Sequence, residues 1–163
     1  MPGSTYRVKD FASHLASLDP QLVRWFEAVR EGKTEQPSEA AQDGSPFDVD
    51  RFNDRVVAER RDWSLAQIFD EAADNRKLFL EALQELDDEM IEQVVHFNGD
   101  NKRPSADIPF KLFLSGLTRH DPIHVADMLK ALPERASDAE ITAWVEHPVV
   151  KHYQAAMEGP ARK

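Results

Sequence analysis

The sequence predicts an all-α protein, a four-helix bundle forming one domain over residues 1–163. Three observations carry that prediction. Apolar residues recur at spacings of three and four along most of the chain, capping residues stand where those stripes begin, and no run alternates with period two long enough for a strand. A chain of 163 residues buries enough surface to fold without disulfides or a structural metal. No internal repeat is visible.

The first stripe runs through Val8, Phe11, Leu15, Leu18, Leu22, Phe26 and Val29, an amphipathic helix. Pro20 lies within it, so the helix either kinks or restarts with Asp19 as N-cap and Pro20 in the first turn. Residues 31–48 lose all periodicity and gather Gly32, Pro37, Gly44 and Pro46, a surface loop long enough to rim a site. A second helical block starts near Val49, breaks around Asp62 and restarts at Ser64, with Gln67 completing a capping box. Its apolar stripe passes through Leu65, Phe69, Ala72, Ala73, Phe79, Leu83 and Leu86, predicted to be the buried face beneath an acidic outer one. A short helix over Asp88 to Val95 follows, then turn and loop from Phe97 to Asp107 around Asn98-Gly99 and Pro104. One long helix is predicted from about Ile108 to Leu132. A second capping box, Ser137 with Glu140, opens a C-terminal helix over 138–157, which Pro148 ends or kinks.

Composition narrows the function. With 30 acidic against 20 basic residues and a formal charge of -10, the chain lacks the clustered basic surface that phosphate binding needs, so a nucleic-acid partner is not expected. The absence of a long apolar run predicts no membrane span, and the polar N-terminus predicts no signal peptide, which places the protein in the cytoplasm. There is no cysteine and there are six histidines. Thiolate sites and a Cys nucleophile are excluded, leaving His, Asp and Glu as ligands.

His96, His147 and His152 read as solvated or locally hydrogen-bonded. His120 and His124 differ. Residues four apart share a helical face, and these two complete the inward stripe of their helix, where their imidazoles can converge on one ion. The zincin pattern does not fit, because Asp121 follows the first His where that motif has Glu, and Pro122 interrupts the helix. His14, beside the apolar stripe of the first helix, is the best third ligand, with Asp10 one turn earlier as a partner for it. Three neutral imidazoles leave a metal net positive with open positions, a catalytic rather than structural pattern. The alternative is a bundle whose histidines fill the core and bond backbone carbonyls. No carboxylate is assigned as a base; Asp10 and Asp121 are merely near in sequence.

These residues resemble a known family. Tyr6-Arg7-Val8-Lys9-Asp10-Phe11-Ala12-Ser13-His14-Leu15, followed by Trp25-Phe26-Glu27-Ala28-Val29-Arg30-Glu31-Gly32, is similar to the second helix of DinB-like proteins, the superfamily that includes the N-terminal domain of mycothiol-dependent maleylpyruvate isomerase and the ClbS/DfsB group. Arg51 to Val57 with Arg60 to Leu65 resembles the start of that family's third helix. Thr118 to Leu129 resembles its HxxxH helix. The resemblance spans residues 6 to 132 and implies a four-helix bundle holding a divalent metal, commonly nickel or zinc, through His14, His120 and His124. It further implies a small-molecule substrate, acted on by a hydrolase or by a transferase or isomerase that uses a low-molecular-weight thiol as cosubstrate. The rival expectation is a bundle that sequesters a small molecule, or supports dimerisation, without turnover. Two departures stand out. The family's usual first helix is missing, so either the C-terminal helix fills its place or a second subunit of a homodimer does; and Pro122 separates the two ligands of the HxxxH helix.

Overall fold

The computed structural model describes residues 6–37, 47–118, 120–148, 150–152 and 155. They are mostly helical. The helices are α1 (Val8–Ala16), α2 (Asp19–Arg30), α3 (Val49–Glu59), α4 (Leu65–Gln84), α5 (Asp88–Ile91), α6 (Phe110–Leu117), α7 (His120–Leu129) and α8 (Ala139–Val145), with strands β1 (Val94–Phe97) and β2 (Ala106–Pro109) between α5 and α6. The chain falls into two compact units, one comprising residues 12–113 and the other residues up to Phe11 together with those from Leu114 onward.

Pro20 divides the first predicted helix into α1 and α2 by a route visible in the hydrogen bonds. Having no N–H, Pro20 cannot bond the carbonyl of Ala16 four residues back. That carbonyl instead accepts from the Asn75 amide of α4 at 3.0 Å, and the Ser17 hydroxyl donates to the His14 carbonyl at 2.7 Å. Asp19 is not the N-cap. The cap position falls on Leu18, without a side-chain bond, because the Asp19 carboxylate is buried and accepts from Arg76 Nε at 2.6 Å.

In the larger unit α2 packs on α4. Phe26, fully buried, meets Phe79 of α4 at 5.5 Å and Phe110 edge-on at 5.8 Å, while Trp25 lies 4.2 Å from Phe113. Ala12, Ala16 and Ile68, with Ala72 beside them, form a second cluster in which small residues let α1 approach α4 closely. Capping fixes where the helices begin. Asp48 accepts from the N–H groups of Asp50 and Arg51, and Ser64 with Gln67 forms the expected capping box at the start of α4. Arg60, at the end of α3, makes a bidentate pair with Glu71 of α4 at 2.6 and 2.8 Å and donates to the Val56 carbonyl at 2.9 Å.

Four expectations are corrected. The predicted short helix ends at Ile91, and the chain forms an antiparallel hairpin that pairs Val95 with Ile108 and His96 with Asp107; each strand is four residues long, too short to display a period. The hairpin depends on Gly99, whose φ of 80° is left-handed and whose added Cβ would sit 2.7 Å from the Ser105 nitrogen. The long helix over 108–132 is two helices, α6 and α7. The last helix is capped by Asp138, one residue beyond the predicted Ser137, its carboxylate accepting from Glu140 and Ile141. α8 ends at Val145, and after a break at Glu146 and His147 residues 148, 150–152 and 155 are again helical, so the interruption falls at Pro148 as expected, while residues 149, 153, 154, 156 and 157 of the predicted helix lie outside the described residues. Finally, Leu65 and Phe69 are exposed, and the buried face of α4 is set by Ile68. Of the predicted loop, residues 38–46 lie outside the described residues, and the part before them pairs Glu35 with His96 beside β1.

In the other unit α7 packs with α8, and Tyr6 meets Phe11 edge-on at 5.8 Å. Among the described residues, no helix is long and apolar enough to cross a membrane.

Candidate metal centre

The division of the long predicted helix decides the geometry of His120 and His124. Because α7 opens at His120, Pro122 falls in its first turn, where a missing N–H leaves no intrahelical bond unmade. Both histidines therefore belong to one helix. Their ring centroids are 4.6 Å apart at 74°. Asp121 accepts or shares a hydrogen bond with His120 Nδ1 at 3.1 Å; with the proton on Nδ1, the lone pair of His120 lies on Nε2, the arrangement that a neighbouring carboxylate gives a ligating imidazole. Phe11 of α1 stands 5.6 Å from the His124 ring and walls that side with hydrocarbon.

His14 is carried one turn further along α1, on a stretch where Phe11, Ala12, Ser13 and Ala16 are also buried. His14 and His124 are each 7% exposed, and His120 is half-buried. One imidazole nitrogen from each of His14, His120 and His124 falls within 4.8 Å of the others. Three close histidines of this kind can hold a metal ion. Metal–nitrogen bonds of about 2.1 Å put tetrahedral ligand atoms about 3.4 Å apart, a separation that lies inside the 4.8 Å limit of this group. The donor chemistry agrees with the burial: neutral imidazoles suit zinc, nickel or copper better than the hard cations that carboxylates bind.

Asp10 has a different task from the one expected of it. Its Oδ2 accepts from the Arg7 backbone N–H at 2.8 Å and from Arg7 Nε at 3.2 Å, and its Oδ1 from Arg7 Nη2 at 3.3 Å. Burial pushes its pKa up, but the side-chain and backbone bonds from Arg7 together outweigh this and hold the carboxyl below the usual aspartate value. Asp10 thus closes the start of α1.

The other histidines take local roles. His96 Nδ1 is 2.7 Å from Asp107 across the hairpin, and its backbone bonds Thr34 and Gln36. His147 and His152 are exposed. Sequence reasoning missed the contact of Phe11 with His124 and the hydrogen bond of Asp121 to His120. The first follows from tertiary packing alone; the second had only adjacency as its signal, which on a helix does not imply contact.

No family model matches this chain, and no curated protein or solved structure does either.

Proposed function

We propose that the protein is a DinB-like, metal-dependent enzyme acting on a small molecule, with one divalent ion, nickel or zinc, held by His14, His120 and His124. The observation that carries this reading is the approach of three imidazole nitrogens to within 4.8 Å of one another, two of them on buried rings. A neutral imidazole in a low-dielectric interior must place both nitrogens, and three together form a costly cluster for a core that needs no polar groups. A shared cation resolves that cost. The resemblance in sequence supplies the family and the choice of metal.

A divalent ion bound there would supply Lewis acidity, acidifying a water or a thiol and polarising an electrophilic substrate. The residues divide the remaining work. Asp121 orients His120, Phe11 excludes water beside His124, and α7 fixes the spacing of its two histidines. With no cysteine in the chain, any thiol in the reaction comes from a low-molecular-weight cosubstrate. The reaction class follows from which nucleophile is used, hydrolase for water and transferase or isomerase for the thiol.

Screening metal-loaded protein against electrophilic esters, amides and epoxides, with and without low-molecular-weight thiols, tests the activity. Metal-dependent turnover that His124→Ala abolishes is the expected result. Tight binding of a small molecule without turnover assigns the bundle to sequestration instead.

A further inference from the structure

The apolar arc of α4 is wider than the described residues cover. Ile68 is fully buried and Ala72, Phe79 and Leu83 are half-buried, while Leu65 is 46%, Phe69 59% and Leu80 47% exposed. With Ala73, which is also exposed, these three follow spacings of four, four and seven, a straight stripe along the outside of the helix. Scattered exposed apolar residues are ordinary; three large ones aligned along a single helix mark a contact surface.

We propose that a second copy of this chain covers this stripe, with the two α4 helices antiparallel about a two-fold axis near Ala73 and Asp74. The charges beside the stripe select that occupant. In an antiparallel pair related by a two-fold axis, each flank faces its own copy, and residues equidistant from the axis meet. Asp70 and Lys77 lie on one flank, each three and a half residues from the midpoint between positions 73 and 74. Asp70 therefore meets the partner's Lys77, and Lys77 meets the partner's Asp70. A parallel pairing in register would place like residues side by side. Lys77 is 76% exposed and among the described residues pairs with Glu81 of its own helix at 4.0 Å, a weak surface pair that leaves it able to reach across. In the same register Phe69 and the partner's Leu80 are offset by two residues, about 3 Å along the helix axes, and Ala73, the smallest residue of the stripe, lies at the axis where the helices approach most closely. Arg76, also on this side, is held by Asp19 at 2.6 Å and lies over Phe79 at 5.5 Å, so it does not place an unattached cation in the seam. The contact is isologous and closes at two subunits.

The test uses the full chain. Sedimentation equilibrium over a concentration series should give a dimer of the 18.6 kDa chain, and Phe69→Glu should weaken association at least about 100-fold while leaving the circular dichroism unchanged. Asp70→Lys and Lys77→Asp should each weaken it, and the double exchange should restore it. Because the chain has no cysteine, Ala73→Cys reports the axis directly: mild oxidation should cross-link it into a dimer, whereas Leu78→Cys, exposed on another side of α4, should remain uncross-linked. A monomer at every concentration overturns the proposal, as does a Phe69→Glu dimer of undiminished affinity. A wild-type dimer in which Leu78→Cys cross-links and Ala73→Cys does not also overturns it, because the contact then uses another face.

Discussion

Single residues in this protein settle where helices stop and how they are pinned. Pro20 was legible as a break, yet the sequence could not name the group that receives the carbonyl it frees. That group is Asn75, 59 residues away. Asn75→Asp keeps the size and removes the donor, so it should cost about 1–2 kcal/mol in urea unfolding; an unchanged midpoint would mean that water serves the Ala16 carbonyl equally well. Arg60 is buried against Glu71, and Glu71→Ala should destabilise by about 2–3 kcal/mol because it strands a buried guanidinium. In the hairpin loop, Asp100 accepts from the N–H groups of Lys102 and Arg103 and from the Arg103 guanidinium. Burial raises its pKa, but these bonds outweigh it and hold the carboxyl below its ordinary value of 3.8. A carboxyl lowered on folding contributes stability that is present above its unfolded value and lost as pH falls through the folded one. The wild type should therefore lose stability to Asp100→Asn at neutral pH, and the difference between the two should vanish in acid, below both values.

At the scale of elements, spacing alone revealed the helices but not their outward and inward halves. Phe69 lies on the predicted stripe of α4 yet is exposed, while Ile68, outside that stripe, is buried; the 3.6-residue period places the two on adjacent sides without saying which one a neighbour covers. The Ser64–Gln67 capping box was legible because its two bonds are local. The β hairpin was not, because its strands are short and its turn is set by Gly99 and by the Asp100 and Asn101 bonds; Asn101 also reaches the start of α3, where it donates to Asp48 at 3.0 Å and accepts from the Val49 N–H at 3.1 Å. Gly99→Ala should thus loosen the hairpin and the α3 cap together. Hydrogen exchange should show faster exchange in both β1 and the first turn of α3, and a change confined to the hairpin would sever that link.

For the molecule as a whole, the candidate site was legible further than the fold around it. His120 and His124 were marked by their spacing, and His14 by its place beside the first apolar stripe; the three meet although 106 residues separate His14 from His120 in the chain. The expected obstacle, Pro122, dissolved because the helix begins two residues before it. His96 bonds Asp107 in the hairpin and His147 and His152 are exposed, while His14, His120 and His124 form one close group. The central claim is that these three histidines hold one divalent metal. Elemental analysis of protein prepared without a His tag, then dialysed against nickel or zinc, tests it most directly. Wild-type protein should take up about one equivalent of metal per chain, which stabilises the fold by about 2.7 kcal/mol at a hundredfold excess over Kd, and His14→Ala and His124→Ala should each retain less than about a tenth of an equivalent. Wild-type protein that takes up no metal, or that binds it as well after either substitution, would contradict it.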